Sequence, residues 1–295
     1  MRKSSSDSTA AVSASSAQAS PTQRASSGKS ANRKPCVKLW QVPILDHMEV
    51  LRGDNICHAF TRHLHSEFGL GVVNQGRLAY ETREEEYVLG PGDIVVINPG
   101  QVHWGGTVEK RPYSYRMIYP SAALMAQAMV AETGLPYFRA GKVCDRNLAQ
   151  RLRYLIERLE NDPINLVQES YFVSALTDLI TRHAESISPP VTPSSQSVQQ
   201  VRDYIEAFYS QNISLSELAT LAGMKPLRLL RSFRKEIGLP PHAYLLQVRI
   251  EQAKRMLLSG TSITDVALDT GFADQSHFTR HFKRSVGITP GQYCS

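Results

Sequence analysis

The sequence predicts an α+β chain: an N-terminal β-barrel or sandwich, a helical hairpin behind it, and a separate all-α C-terminal part. Three observations carry that prediction. Short apolar and aromatic runs broken by turn signals fill residues 37 to 119, the apolar period turns helical between 145 and 183, and residues 198 to 295 repeat themselves at an offset of 48. A length of 295 residues, 42% of them hydrophobic, is enough for two domains.

Residues 1–35 are mostly Ser, Ala, Thr and Gln with nothing large to bury, so they read as a disordered tail. From 36 to 143 the strand signals run Gly69-Leu-Gly-Val-Val73, a turn at Asn74-Gln-Gly76, Arg77-Leu-Ala-Tyr-Glu81, Tyr87-Val-Leu89, a turn at Gly90-Pro-Gly-Asp93, then Ile94-Val-Val-Ile97. Residues 144–186 hold two apolar stripes. One comprises Leu148, Leu152, Leu155, Ile156 and Leu159; the other Phe172, Ala175, Leu176, Leu179, Ile180 and His183, with a break at Asp162-Pro163. Such a hairpin either packs on the β part or seals a homodimer. Residues 187–197, with Ser188-Pro-Pro-Val-Thr-Pro-Ser-Ser195, form the linker to the C-terminal domain at 198–295.

Charge divides along the same lines. Residues 1–35 carry six Lys/Arg against Asp7 alone, 36–197 carry 15 against 18 acids, and 198–295 carry 12 against 8. Basic ends around an acidic middle point to a polyanion as the partner of the tail or the C-terminal part. No stretch reaches the roughly 18 apolar residues of a bilayer span, and no secretory core follows the basic start, so a cytoplasmic protein with no membrane partner is expected. Cys36, Cys57, Cys144 and Cys294 are too scattered for a metal cluster or a redox pair and read as free thiols. Gly28-Lys-Ser30 lacks the earlier glycine that a phosphate loop needs, and no Ser/His/Asp or thiol site declares itself.

The repeat is the most specific feature. Ser214-Leu-Ser-Glu-Leu-Ala-Thr-Leu-Ala-Gly-Met224 matches Ser262-Ile-Thr-Asp-Val-Ala-Leu-Asp-Thr-Gly-Phe272, and Arg231-Ser-Phe-Arg-Lys235 matches Arg280-His-Phe-Lys-Arg284. Each copy has the physics of a helix-turn-helix. Ser214 and Ser262 cap a first helix, Gly223 and Gly271 supply the positive φ of the turn, and Leu229 with Phe233, or Phe278 with Phe282, face inward at i, i+4. The outward face of the first copy then shows Leu227, Leu230, Arg231 and Arg234, with Arg228 beside them. In the second copy it shows Gln275, Ser276, Thr279, Arg280 and Lys283. Arg reads guanine, Gln reads adenine, and apolar groups or Thr meet the thymine methyl, so these residues suit double-stranded DNA. A helix from His242 to Leu258 joins the copies rigidly, which lets two helices enter successive major grooves about 34 Å apart.

On these residues, 198–295 resembles the DNA-binding domain of the AraC/XylS family, most fully from Ser262 to Tyr293. The resemblance implies a sequence-specific transcription regulator, with base-reading residues at Leu227, Leu230, Arg231, Gln275, Ser276, Thr279 and Arg280. It favours an activator, for which RNA polymerase is a partner. The first copy departs from the family pattern in having Lys225 where a capping Ser usually precedes Pro226, and leucines at two reading positions.

His63-Leu-His65 and Gly92-Asp-Ile-Val-Val-Ile-Asn-Pro-Gly-Gln-Val-His103 resemble the two motifs of a cupin barrel, similar to the effector-binding domain of such regulators. In metal cupins the paired histidines, a Glu and the second-motif His hold one ion. Here Gly69-Leu70 stands where the Glu is expected, so a cavity for an organic effector, a three-imidazole metal site and purely structural histidines all stay open. The expectation taken forward has no metal and no cofactor. Arg62, His63, His65, His103, Trp104 and Arg116 are the effector-binding candidates, with Tyr80, Tyr113 and Tyr115 as further lining. Among them arginine is the natural partner of a carboxylate; the resemblance to sensor halves associated with metabolite uptake or export implies an amino acid or small carboxylate as the effector. Strand alternation turns half of these side chains outward, and the sequence does not say which half. The function expected is an effector-controlled regulator, not an enzyme; the alternatives are a metal-dependent cupin enzyme carrying a DNA-binding domain, and a DNA-binding protein without a ligand.

Overall fold

A computed structural model describes residues 34–129, 134–161, 166–185 and 195–294. The predicted tail as far as residue 33, the Asp162-Pro163 break and residues 187–194 of the predicted linker lie outside the described residues.

Among the described residues nine strands run β1 Cys36–Val42, β2 Met48–Ile56, β3 Gly69–Gln75, β4 Leu78–Thr82, β5 Glu86–Leu89, β6 Ile94–Ile97, β7 His103–Thr107, β8 Tyr113–Tyr119 and β9 Lys142–Val143. They form a six-stranded sheet in the order β1-β2-β8-β3-β6-β9 and a three-stranded sheet in the order β5-β4-β7. All the pairings are antiparallel. Alternation along each strand divides its side chains between two cores. Val50, Val72, Val96 and Ile118 face one way, and Leu51, Val73, Val95, Ile97 and Met117 face the other, between the sheets.

The first of these faces is covered by helices. After α1 (Ala122–Gln127) come α2 (Arg146–Asn161) and α3 (Leu166–His183). Leu148, Leu152, Leu155, Ile156 and Leu159 of α2, with Phe172, Ala175, Leu176, Leu179 and Ile180 of α3, share one buried cluster with Val50, Val72 and Ile118. Both predicted stripes therefore pack on the sheet. Tyr154 and Tyr171 stay exposed on the hairpin. His183 sits at the edge of its stripe, with Nε2 3.2 Å from Asp145 Oδ2.

The C-terminal part is all helix: α4 Gln196–Ala207, α5 Leu215–Leu221, α6 Pro226–Ile237, α7 Pro241–Leu258, α8 Ile263–Asp269, α9 Gln275–Val286 and α10 Pro290–Tyr293. Two clusters form around α7. Leu229, Phe233, Tyr244 and Leu245 belong to the first; Ile250, Ala253, Phe278 and Phe282 belong to the second. Arg249 of α7 is buried, 8% exposed. Its guanidinium donates to Tyr209 O (2.7 Å) and Gln211 O (2.8 Å), ahead of α5, and to Gly271 O (2.6 Å), in the turn of the second copy.

The predicted caps are made. Ser214 Oγ accepts from Glu217 N at 3.1 Å in a capping box, and Ser262 Oγ accepts from Asp265 N at 3.2 Å. Gly223 and Gly271 have φ of 61° and 80°. At Gly271 a second constraint applies, because a Cβ there would fall 2.4 Å from Ser210 O.

Candidate functional site

The helix-turn-helix geometry exposes one face of each second helix. In α6, Leu229 and Phe233 are fully buried while Arg228, Arg231 and Arg234 are exposed; Leu227 is 69% exposed and Leu230 is half-buried. In α9, Phe278 and Phe282 are buried, and Gln275, Ser276, Thr279, Arg280 and Lys283 line one shallow groove. Gln275 is oriented by Thr264 of α8, whose hydroxyl donates to Oε1 at 3.0 Å. The helix starts differ as the sequence suggests. Asp274 accepts from His277 N at 2.7 Å ahead of α9, whereas Lys225 gives α6 no side-chain cap.

Between the two sheets lies a cavity with about 870 Å³ of empty space, its open mouth included. Odd-numbered residues of β8, Tyr113, Tyr115, Met117 and Tyr119, point into it, joined by Tyr80, Leu51, Leu78, Val95 and Ile97. His63 and His103 face each other across an isolated antiparallel bridge, and His65 completes a cluster. Their ring centroids are 4.2 Å apart for His63 and His103, 5.0 Å for His65 and His103, and 6.3 Å for His63 and His65. Each Nδ1 is bonded to a nearby backbone carbonyl: His63 to Thr61 (2.7 Å), His65 to Glu67 (2.7 Å), His103 to Gln101 (2.8 Å). A carbonyl only accepts, so Nδ1 carries the proton and Nε2 is left as an acceptor. Burial holds all three imidazoles below their ordinary pKa, His65 at about 3 and His103 well below, so they are neutral at pH 7. Among the described residues no group of three or more His, Cys, Asp or Glu side chains is arranged to hold a metal ion.

The C-terminal part supplies one wall of the cavity. Gln247, Glu251 and Lys254 of α7 and Ser285 and Val286 of α9 line it together with Glu49 and Glu67. Lys254 Nζ lies 2.9 Å from Glu49 Oε2 and 3.8 Å from Glu251 Oε2, and the Tyr293 hydroxyl donates to the other oxygen of Glu49. These groups are largely withdrawn from water. The cost of burial lowers the Lys254 pKa, but the two carboxylates outweigh it and hold the ammonium well above its usual range. Burial raises the carboxyl of Glu251, with Glu67 and Glu49 adding to the effect. The last turns of both outward-facing helices also rest on the barrel. A Cβ at Gly238, after α6, would lie 3.2 Å from Val102, and one at Gly287, after α9, would lie 3.2 Å from Phe60.

Two family models match this chain, "AraC-like ligand binding domain" over residues 47–180 and "Helix-turn-helix domain" over 218–295. The chain is 34% identical over 235 residues to the helix-turn-helix-type transcriptional regulator YbfI of Bacillus subtilis, covering 78% of this chain and 86% of that one. It belongs to the AraC/XylS family of transcriptional regulators. The arabinose operon regulatory protein of Escherichia coli is 29% identical over 237 residues, covering 76% of this chain and 77% of its own. An apo ToxT variant from Vibrio cholerae shares the fold, with a TM-score of 0.53 at 11% identity over 89% of this chain and 97% of that one. Like its matched domains and relatives, this AraC/XylS member is a transcriptional regulator rather than an enzyme.

Three effector candidates fall outside the cavity. Arg62 is exposed and pairs with Glu81. Arg116 alternates with Tyr115 and Met117, so strand geometry turns it to the opposite face, toward Glu157 of α2 at 3.7 Å. Trp104 alternates with His103, and its ring lies over Gly106. With both arginines elsewhere, the expected carboxylate effector loses its partner. Glu49, Gln247, Glu251 and Lys254 went unnoticed in the sequence because they come from distant segments that only the packing of α7 on the barrel unites.

Proposed function

We propose that this protein is a cytoplasmic, effector-controlled and sequence-specific activator. In this reading 36–143 takes the effector in a cupin-like barrel, 144–186 supports a homodimer, and 187–197 links to the DNA-binding domain at 198–295. Since the buried stripes of the hairpin pack on the sheet, the dimer would use the other side, with Tyr154 and Tyr171. Arg231 and Arg280 read guanine, Gln275 reads adenine, and Leu227, Leu230, Ser276 and Thr279 meet methyls and base edges. Arg228, Arg234 and Lys283 hold phosphates. RNA polymerase would be met on the DNA-bound dimer.

One observation carries the control step: α7, the rigid bridge between the two helix-turn-helix copies, also lines the cavity through Gln247, Glu251 and Lys254. A molecule entering the cavity must therefore contact or displace the bridge, and its differential affinity for the two arrangements sets how far DNA binding shifts. The test is a thermal-shift screen of the full chain against metabolites, with each hit assayed for DNA affinity and reporter transcription. Hits that raise the melting temperature and change DNA affinity are expected to lose both effects in His65→Ala. If hits keep both effects in His65→Ala, the cavity is not the control site.

A further inference from the structure

The cavity has an unusual inventory of polar atoms. Its three neutral imidazoles have each committed Nδ1–H to a backbone carbonyl, so toward the cavity they only accept. His65 Nε2 is buried with no hydrogen-bond partner in the protein, as are the hydroxyls of Tyr80 and Tyr113, which are 2% and 1% exposed. Buried polar atoms of this kind are costly unless something pairs with them. In the same lining Glu49 and Glu251 lie beside one cation, Lys254, and Glu67 adds a third carboxylate. Tyrosine rings form much of the remaining wall.

We propose that the effector is an organic ammonium on an apolar body, bound against Glu251 and Glu49 in competition with Lys254. This rests on the cavity being the effector site. An ammonium brings three donors and no acceptor to a site rich in acceptors, adds the second positive charge that three carboxylates lack, and is attracted by tyrosine faces. A carboxylate finds donors only in the tyrosine hydroxyls and Gln247, faces three acceptor imidazoles and three carboxylates, and meets a cation already engaged by Glu49. The same competition supplies the signal. Glu49 joins the barrel to the DNA-binding part through Lys254 and Tyr293, so an ammonium that draws on Glu49 loosens the contact between barrel and α7.

The test measures binding to the full chain by calorimetry with matched probes: 2-phenylethylamine, 2-phenylethanol and 3-phenylpropionate, and the cyclohexyl and n-hexyl counterparts of each. Amines are expected to bind at least ~10-fold tighter than alcohols of the same body, about the worth of one charge-assisted hydrogen bond, with carboxylates weakest. Glu251→Gln keeps the pair between Lys254 and Glu49, and should reduce the preference for amine over alcohol to ~3-fold or less. Tight amine binding that Glu251→Gln leaves unchanged overturns the proposal, because the amine is then held elsewhere. If carboxylates or alcohols bind best and His65→Ala abolishes that binding, the ammonium class is wrong while the cavity stands as the effector site. If no probe binds but metabolite hits from the screen act through His65, the ammonium class alone falls; if nothing acts through His65, both proposals fall.

Discussion

Replacing Arg249 by Met tests how the two helix-turn-helix copies are held together. The guanidinium of Arg249 is the donor for Tyr209 O, Gln211 O and Gly271 O at 2.6–2.8 Å, and it also lies 5.8 Å from the centre of the Phe272 ring. Methionine keeps much of the stem and its packing but leaves three carbonyls without their donor. A hydrogen bond from a charged group contributes about 1.5–3 kcal/mol, and some of the carbonyls will recover water, so the net loss should be about 3–5 kcal/mol. Against a total stability of about 5–15 kcal/mol that is a large fraction, and in a protein of this size it lowers the melting temperature by roughly 10 °C. Arg249→Lys should fall between the two, since one ammonium cannot reproduce a planar fork aimed at three carbonyls. Urea unfolding followed by circular dichroism gives the energy, and footprinting on a bound duplex gives the geometry. The variant should protect one of the two major-groove segments less well than the other. A loss below about 1 kcal/mol with an unchanged footprint would refute the role given to Arg249.

Three further outcomes are expected. Arg280→Ala should cost about 1–3 kcal/mol at the preferred site and relax one base preference, whereas Lys283→Ala should weaken all sequences alike; equal, uniform losses in a competition assay would make Arg280 a phosphate contact. Both turn glycines have positive φ, but only at Gly271 does a Cβ collide with backbone, so Gly223→Ala should cost about 1–2 kcal/mol and Gly271→Ala distinctly more by thermal unfolding; equal costs would contradict the contact with Ser210. His65 has a folded pKa of about 3, below its unfolded value, so the unfolded chain binds the extra proton between pH 6.5 and 3. Stability from this group is complete above pH 6.5 and falls with acidification, at up to about 1.4 kcal/mol per pH unit. His65→Gln should flatten that slope in urea titrations, and an unchanged slope would remove His65 as its source.

Much of the fold was legible because its signals are local. Serine caps, turn glycines and i, i+4 apolar pairs at Leu229 with Phe233 and Phe278 with Phe282 fix each helix-turn-helix within a few residues, and all of them appear in the structure. The hairpin stripes were equally clear, but their periodicity says only that a face is buried. That the sheet covers it depends on Val50, Val72 and Ile118, far away in the chain. The cavity was half legible. His63, His65 and His103 meet as their motifs suggested, while Arg116 and Trp104 miss it because alternation fixes relative facing along a strand without saying which side is inside, and Arg62 misses it from a bend, where it pairs with Glu81. Glu251 and Lys254 left no signal, since a charged residue on a helix usually points to water, and Glu49 and Glu67, on a strand and in a loop, are joined to them only by the packing of α7 on the barrel.

In the proposed mechanism the cavity and the DNA-reading helices are coupled through the contact between Glu49, Lys254 and Tyr293. Its most direct test is the DNA affinity of the full chain, wild type against Glu49→Gln, on the duplex that the wild type selects from random sequence. Glutamine keeps the shape of the side chain and removes the charge that holds Lys254 at 2.9 Å. Coupling of the usual size, about 1–3 kcal/mol, predicts a change in affinity of at least ~5-fold with the base preferences retained. Affinity within about twofold of wild type would contradict the coupling, because the contact would then bind barrel to bridge without reaching the DNA.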